Sequence, residues 1–377
     1  MRVIYEDDDH SQRRKLTRFS FFFRIKRERK HSVPVQRERE RVYVYGEYTT
    51  RRSPFLSLDD APDAYEWVKM FILSPVCVLR VLVVVAHLIG FWMLASLKLV
   101  GMKAAAIRGS QPMPWWRNFL FGGALRALIA SCLLSGGVWM TVKGKKNLRE
   151  AQQVKEVVAV FNHVSFLDPF VLLRLTAVTG VAKAGIDDLP LIGQVGKALQ
   201  VVFVARKGTV EGSSTSRRGG TIQLMRERLE RAAHFPLLAL APEGTTHNGQ
   251  SVIKFQTGAF ALGRPVLPIL LRYPYAHFNP AWTLTDTAWL LIRLFSQVYT
   301  RAEVEVMPLR YPSMEEEKNP SLFGHNVQRE MAAALGVPAV EQDMYDAHAM
   351  MKAGFSVNVR GRVTKVDVKT AKRQAWL

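Results

Sequence analysis

Two dense apolar stretches come before a long region where short β-branched runs alternate with helical patterns. The first stretch is "WVKMFILSPVCVLRVLVVVAHLIGFWMLASLKLVG", interrupted by Pro75 and Arg80. Its uncharged core, Val81 to Leu97, is about 17 residues, at the short end for a membrane span. Trp67 and Trp92 are placed as interface residues. The second is "NFLFGGALRALIASCLLSGGVWMTVKG", which Arg126 splits, leaving about 16 uncharged residues. Lys and Arg cluster between the two (98–117) and after them (143–149). Short apolar helices with basic flanks predict a membrane-embedded hairpin or a monotopic anchor over 61–142. One span plus an interfacial helix is the close alternative, and two buried core helices the plain one.

After Lys143 the pattern predicts strands at Val157–Phe161, Val181–Ala184, Val201–Ala205, Pro236–Leu240, Val266–Leu271 and Val304–Met307. It predicts helices at Pro169–Thr176, Ile192–Ala198, Thr221–Ala233, Phe255–Leu262, Trp282–Ser296 and Ser321–Leu335. Such alternation argues an α/β domain over 143–338, with a central, mainly parallel sheet flanked by helices. "KGTVEGSSTSRRGG" is a long connecting loop. A basic tail fills 339–377, where "FSVNVRGRVTKVDVK" alternates like a weak hairpin around Gly361.

Charge adds a partner class. The net charge is +20, which points to an anionic partner: nucleic acid, a membrane surface or a phosphate-rich substrate. No nucleic-acid motif, such as an RNP or zinc-finger pattern, is present, so nucleic acid is not expected. Only Cys77 and Cys132 occur, which excludes a disulfide framework or a cysteine-ligated zinc site. Residues 1–60 carry no secretory signal and read as a basic, mostly disordered arm.

Candidate chemistry sits where polar residues break the apolar rule. In "NHVSFLDPF", His163 ends a strand and Asp168 opens a helix, with Pro169 in its first turn. A carboxylate folded onto one imidazole nitrogen fixes the tautomer and raises the basicity of the other, as a general base requires. The plain alternative makes Asp168 a helix cap and His163 a strand end. "VVFVARKG" ends a strand in Arg206 and Lys207, where the arginine fork suits phosphate. "LLALAPEGTTHNGQ" brings Glu243, Gly244, Thr245 and Thr246, able to approach and hold phosphate oxygens. There the carboxylate would order water, bind a hydroxyl or pair with Arg206. "KFQTGAFALGRPVLPILLRYP" reads as structural by itself. A G-x-S-x-G elbow is absent, against a serine hydrolase.

Together, "NHVSFLD", "VFVARKG", "PEGTTHNGQ" and "PVLPILLRYP" resemble the four blocks of the glycerolipid acyltransferase superfamily, in family order, from about Trp139 to about Pro338. The run is most similar to plant-type lysophosphatidylcholine and lysophosphatidylethanolamine acyltransferases. That resemblance implies acyl transfer from acyl-CoA to the free hydroxyl, usually sn-2, of a lysophospholipid. His163 would be the base and Asp168 its orienter, with no acyl-enzyme on Ser165. Phe203, Arg206, Glu243, Gly244, Thr245, Thr246 and Pro268 would line the acceptor site. Lys207, Arg217 and Arg218 are candidates for CoA phosphates, on charge and loop position. Phosphatidate-forming members carry "EGTRS"; Thr246 stands where their arginine would be, so glycerol-3-phosphate or lysophosphatidic acid is the second choice of acceptor. Neither cofactor nor metal is expected, and no EF-hand loop is present. The implied location is a membrane, the endoplasmic reticulum, with the catalytic domain facing the cytosol.

Overall fold

Four consecutive buried residues, Val158 to Phe161, form β2, the strand on which the domain is built. The computed structural model describes residues 53–56, 62–107, 111–154, 156–183, 185–189, 191–204, 218–357 and 363–365. Among them, a seven-stranded sheet contains β1 (Val138–Lys143), β2, β3 (Val178–Lys183), β4 (Val202–Val204), β5 (Leu237–Leu240), β6 (Val266–Arg272) and β7 (Thr300–Val306). Its order is β1-β7-β6-β2-β5-β3-β4. β2 is parallel to both neighbours, β5 and β6; β6 and β7 are antiparallel. A strand covered on both faces needs an unbroken apolar run, and "VAVF" supplies one.

The pleat sends β2 side chains to opposite layers. Val158 and Val160 join the layer of Phe260, Phe323 and Met331, under helix Pro320–Leu335. Ala159 and Phe161 join the layer of Phe91, Ile129 and Leu294. That second layer is covered by α2 (Ser74–Leu99), α3 (Trp115–Ser135), α4 (Lys145–Gln153), α5 (Asp168–Leu175), α6 (Ile192–Ala198) and, further along the chain, Thr287–Phe295, with α1 (Ala64–Ile72) preceding α2 in the chain.

α2 and α3 are 26 and 21 residues long, and each holds an 18-residue window whose mean hydropathy is 2.3 or 1.5, respectively. By length and composition both suffice to cross a membrane. They outrun the uncharged cores read from the sequence because their arginines are accommodated within the helices. The Arg80 guanidinium donates to the carbonyls of Phe295, Gln297 and Val298, satisfying the end of helix Thr287–Phe295. His87 meets Ser131 at 2.9 Å, a polar tie between the two helices.

α1 is amphipathic and sits on that same helix. Its buried Glu66 receives Nε and Nη2 of Arg293 at 3.0 and 2.5 Å and Lys69 Nζ at 2.6 Å. Its other face leaves Trp67, Phe71 and Ile72 exposed.

Several expectations change. β1 belongs to the sheet, not to the anchor: "VWMTVK" pairs in parallel with β7, and the preceding apolar helix had masked its alternation. The turn after it needs Gly144 (φ 72°), where a Cβ would stand 2.0 Å from the Val306 carbonyl. The expected helix Phe255–Leu262 shrinks to a 3₁₀ turn at Phe260–Leu262. Backbone donors before it are taken by distant carbonyls: Val252 by Pro338, Lys254 by Gln342, Gln256 by Pro242. The helix expected from Trp282 starts at Thr287, capped by Asp286, because the Trp282 and Leu284 amides bond to Val164 and Phe55.

The domain also extends beyond Pro338. Val252 bridges to Ala339, helix Met344–Lys352 follows, and Phe355–Val357 pairs antiparallel with Val363–Lys365, as the alternation predicted. Ser53–Leu56, expected in a disordered arm, is docked, with Phe55 and Leu56 buried. The rest of residues 1–52 lies outside the described residues.

Candidate active site

The ends of β2 and β5 lie side by side, and the residues following them make the site. After Phe161 the ladder of β2 and β6 is continued by the Asn162 side chain. Its amide donates to the Leu271 carbonyl at 2.9 Å and accepts from the Leu271 amide at 2.8 Å. This holds Tyr273, two residues on, against the turn that follows His163.

In that turn Asp168 opens α5, yet its side chain does not cap the helix in the ordinary way. It is fully buried and folds back. Oδ2 accepts from Val164 N at 2.8 Å, Ser165 N at 3.0 Å and His163 Nδ1 at 2.7 Å. Oδ1 accepts from the Tyr273 hydroxyl at 2.5 Å. Burial, and the Asp168 charge beside it, push the Tyr273 phenol well above its ordinary value, so it stays a donor.

An acceptor-only carboxylate on Nδ1 places the imidazole proton there and leaves the Nε2 lone pair available. The His163 side chain keeps 24% of its surface exposed, so that nitrogen is reachable. Its ring stands edge-on to Phe161, 5.9 Å between centroids, on the layer that carries the long apolar helices. Ser165 is fully buried, its hydroxyl committed to the Pro280 carbonyl at 2.8 Å.

Glu243 follows β5 and is also fully buried. Its Oε2 accepts from the His163 amide at 2.5 Å and its Oε1 from the Ile253 amide at 3.2 Å. His247 Nε2 lies 2.9 Å from Oε1 without hydrogen-bond alignment. Both carboxylate oxygens of Glu243 are thus engaged by the protein's own backbone. Its carboxylate fixes the backbone that carries His163, because two buried amides there need an acceptor.

Gly244 has φ 71°, as a turn demands, and the side where a Cβ would stand faces the Met344 sulfur at 2.6 Å. Thr245 and Thr246 are half-buried, and among the described residues their hydroxyls have no partner. Asn248 binds the docked segment through the carbonyls of Ser53, Pro54 and Leu56.

The other expected site residues scatter. Phe203 packs its ring over Gly196 of α6, where a Cβ would come within 2.8 Å of it. Pro268 is buried inside β6, its carbonyl accepting from Met307 at 2.9 Å. In both cases strand register directs the residue to a neighbouring element rather than to the strand ends. Arg206, Lys207 and Arg217 lie outside the described residues, as does the side chain of Arg218, which begins helix Arg218–Glu230. Among the described residues no group of His, Cys, Asp and Glu is placed to hold a metal ion.

Sequence reasoning missed Tyr273 and His247. Each stands in a quoted block, "LLRYP" and "EGTTHNG", but nothing local marks either as a partner of the His163 turn. Chemically, the arrangement is a reachable imidazole lone pair backed by a buried, four-fold hydrogen-bonded carboxylate, which is what a general base requires.

The Acyltransferase family model matches residues 140–272. The lysophospholipid acyltransferase LPEAT2 of Arabidopsis thaliana is 32% identical over 291 residues, 77% of this chain and 51% of that protein. Lysophosphatidylcholine acyltransferase 1 of Danio rerio is 32% identical over 269 residues, 70% of this chain and 49% of that protein. The chain thus spans about half the length of the curated relatives it matches. The solved 1-acyl-sn-glycerophosphate acyltransferase PlsC of Thermotoga maritima is 16% identical, with a TM-score of 0.38, covering 67% of this chain and 98% of that one.

Proposed function

We propose, from the match of residues 140–272 to the Acyltransferase family model, that the chain moves a fatty acyl group from acyl-CoA to the free hydroxyl, sn-2, of a lysophospholipid. The observation that carries the reading is the hydrogen bond between His163 Nδ1 and the buried Asp168 at 2.7 Å. It leaves Nε2 as base. Nε2 takes the hydroxyl proton while the oxygen attacks the thioester carbonyl. Asp168 stays ionised and stabilises the imidazolium. The tetrahedral intermediate then expels the CoA sulfur, which takes the proton back from His163. Ser165 forms no acyl-enzyme; its hydroxyl is occupied elsewhere.

Arg206, with the free hydroxyls of Thr245 and Thr246, holds the acceptor phosphate. Lys207, Arg217 and Arg218 meet CoA phosphates. A zwitterionic phosphodiester needs one cation fewer than a phosphomonoester, so Thr246 in place of a basic residue favours lysophosphatidylethanolamine or lysophosphatidylcholine. The relatives named above are lysophospholipid and lysophosphatidylcholine acyltransferases, which supports the same acceptor class. α2 and α3 hold the domain on a membrane, in this reading the endoplasmic reticulum with the site facing the cytosol, where amphiphilic substrates arrive from the bilayer.

The test is acyl transfer by membranes containing the protein, with one labelled acyl-CoA and a panel of lysolipids. Lysophosphatidylethanolamine or lysophosphatidylcholine is expected to be acylated fastest, with a fall of about 10²–10⁴ in rate for His163→Ala. A preference for lysophosphatidic acid or glycerol-3-phosphate overturns the acceptor. Near-normal rates for His163→Ala overturn the mechanism.

A further inference from the structure

A cavity lies at the opposite ends of the parallel strands from His163. Its volume is about 600 Å³. Val178, the first residue of β3, and Pro236, just before β5, line it, whereas His163 and Glu243 follow the other ends of the parallel strands. The full length of those strands separates the two places.

The walls are apolar: Leu125 of α3, Leu173 of α5 and Leu199 after α6. Among the described residues, three basic side chains, Lys98, Arg126 and His234, open into this space and no carboxylate lines it. Lys98 is the telling residue. Only 7% of it is exposed, and no carboxylate or carbonyl among the described residues receives its ammonium. An ammonium facing apolar walls without a partner is costly, and a ligand that brings a counter-charge into the cavity relieves that cost.

Its position says where the counter-charge comes from. Lys98 stands at the end of α2, and Trp115 and Asn118, also in the lining, stand at the start of α3. These are the same end of the helical pair, the level at which an apolar span gives way to polar surroundings. An anion that also fits apolar walls, presented at that level, is a bilayer lipid.

We propose that this cavity binds one anionic phospholipid, its phosphate on Lys98 and an acyl chain along Leu125, Leu173 and Leu199. The site is separate from that of His163 and stands whether or not acyl transfer occurs there. Lys98 meets the phosphate; Arg126 and His234 make the surrounding field positive.

The experiment is native mass spectrometry of the full-length protein in non-ionic detergent, titrated with dioleoyl phosphatidylglycerol or dioleoyl phosphatidylcholine. One equivalent of phosphatidylglycerol is expected to bind at least tenfold more tightly than phosphatidylcholine. Lys98→Met, which keeps the length and apolar bulk of the side chain, is expected to erase that preference. Leu173→Trp, which fills the wall and touches no charge, is expected to lower occupancy by both lipids. It also serves if Lys98→Met fails to fold. His163→Ala is expected to leave the preference intact. Equal affinity for the two lipids, a preference surviving Lys98→Met, unchanged occupancy in Leu173→Trp, loss of the preference in His163→Ala, or full displacement by millimolar inorganic phosphate each overturns the proposal.

Discussion

Replacing Asp168 by asparagine separates the charge of this residue from its hydrogen bonds. The carboxylate accepts four: three on Oδ2, from His163 Nδ1, Val164 N and Ser165 N, and one on Oδ1, from Tyr273. An asparagine carbonyl fits the Oδ2 position and keeps all three N–H donors. Its NH₂ group then faces the Tyr273 oxygen, which has lone pairs to accept it. So the bonds survive and the charge does not. Each bond falls from charge-assisted to neutral, about 1 kcal/mol apiece, and relief of burying a charge offsets much of that. Net destabilisation should stay near 1–2 kcal/mol.

The transition state loses more. An imidazolium and a carboxylate with centres about 4 Å apart attract by about 4 kcal/mol at an effective dielectric near 20. At 1.36 kcal/mol per decade, that is about three decades in rate. The assay is initial acyl-transfer rate in matched membranes at equal protein level, beside acyl-CoA binding and an unfolding curve. A folded Asp168→Asn protein within threefold of the wild-type rate would refute the reasoning. So would a rate loss that merely follows lost acyl-CoA binding.

Tyr273→Phe removes one of the four donors and should cost about 1 kcal/mol, a fall of roughly five- to tenfold in rate, with little change in the acceptor KM; an unaltered rate would make the hydroxyl a packing feature alone. Glu66→Gln breaks the buried pair with Arg293 and should cost about 3 kcal/mol of stability, read from denaturant unfolding. Burial works to raise the Glu66 carboxyl, but its bonds to Lys69, Arg293 and Gln297 outweigh this and hold it below the ordinary 4.5. The unfolded chain then takes up the proton first. The pair's contribution is complete above about pH 4.5 and fades as pH falls through the lower folded value, an acid limb that Glu66→Gln should lack. The full chain should stay with membranes through an alkaline carbonate wash, since α2 and α3 leave long apolar faces exposed; recovery in the supernatant would count against insertion.

What the sequence determined by itself is local. His163 and Asp168 are five residues apart across one strand-to-helix turn, and polar residues inside an apolar run announce themselves. Most strands of the sheet were legible for the same reason, their β-branched runs being bounded by turns. The two long helices were legible as apolar runs, but their length was not. Only the folded chain shows that Arg80 is spent on the end of helix Thr287–Phe295. β1 was hidden because its alternation follows directly on the apolar α3.

The partners of the His163 turn were decided by tertiary structure alone. Sheet order inserts β5 on one side of β2 and β6 on the other, so Glu243 and Tyr273, 80 and 105 residues away from their partners in sequence, arrive at one spot. No local pattern distinguishes a glutamate that will face substrate from one that will be sealed under a backbone amide. That difference lies in burial, and burial depends on which strands become neighbours. The same holds for Lys98, which in sequence is one more cation flanking an apolar helix. Its missing counter-charge exists only once α2, α3 and the strand ends enclose it.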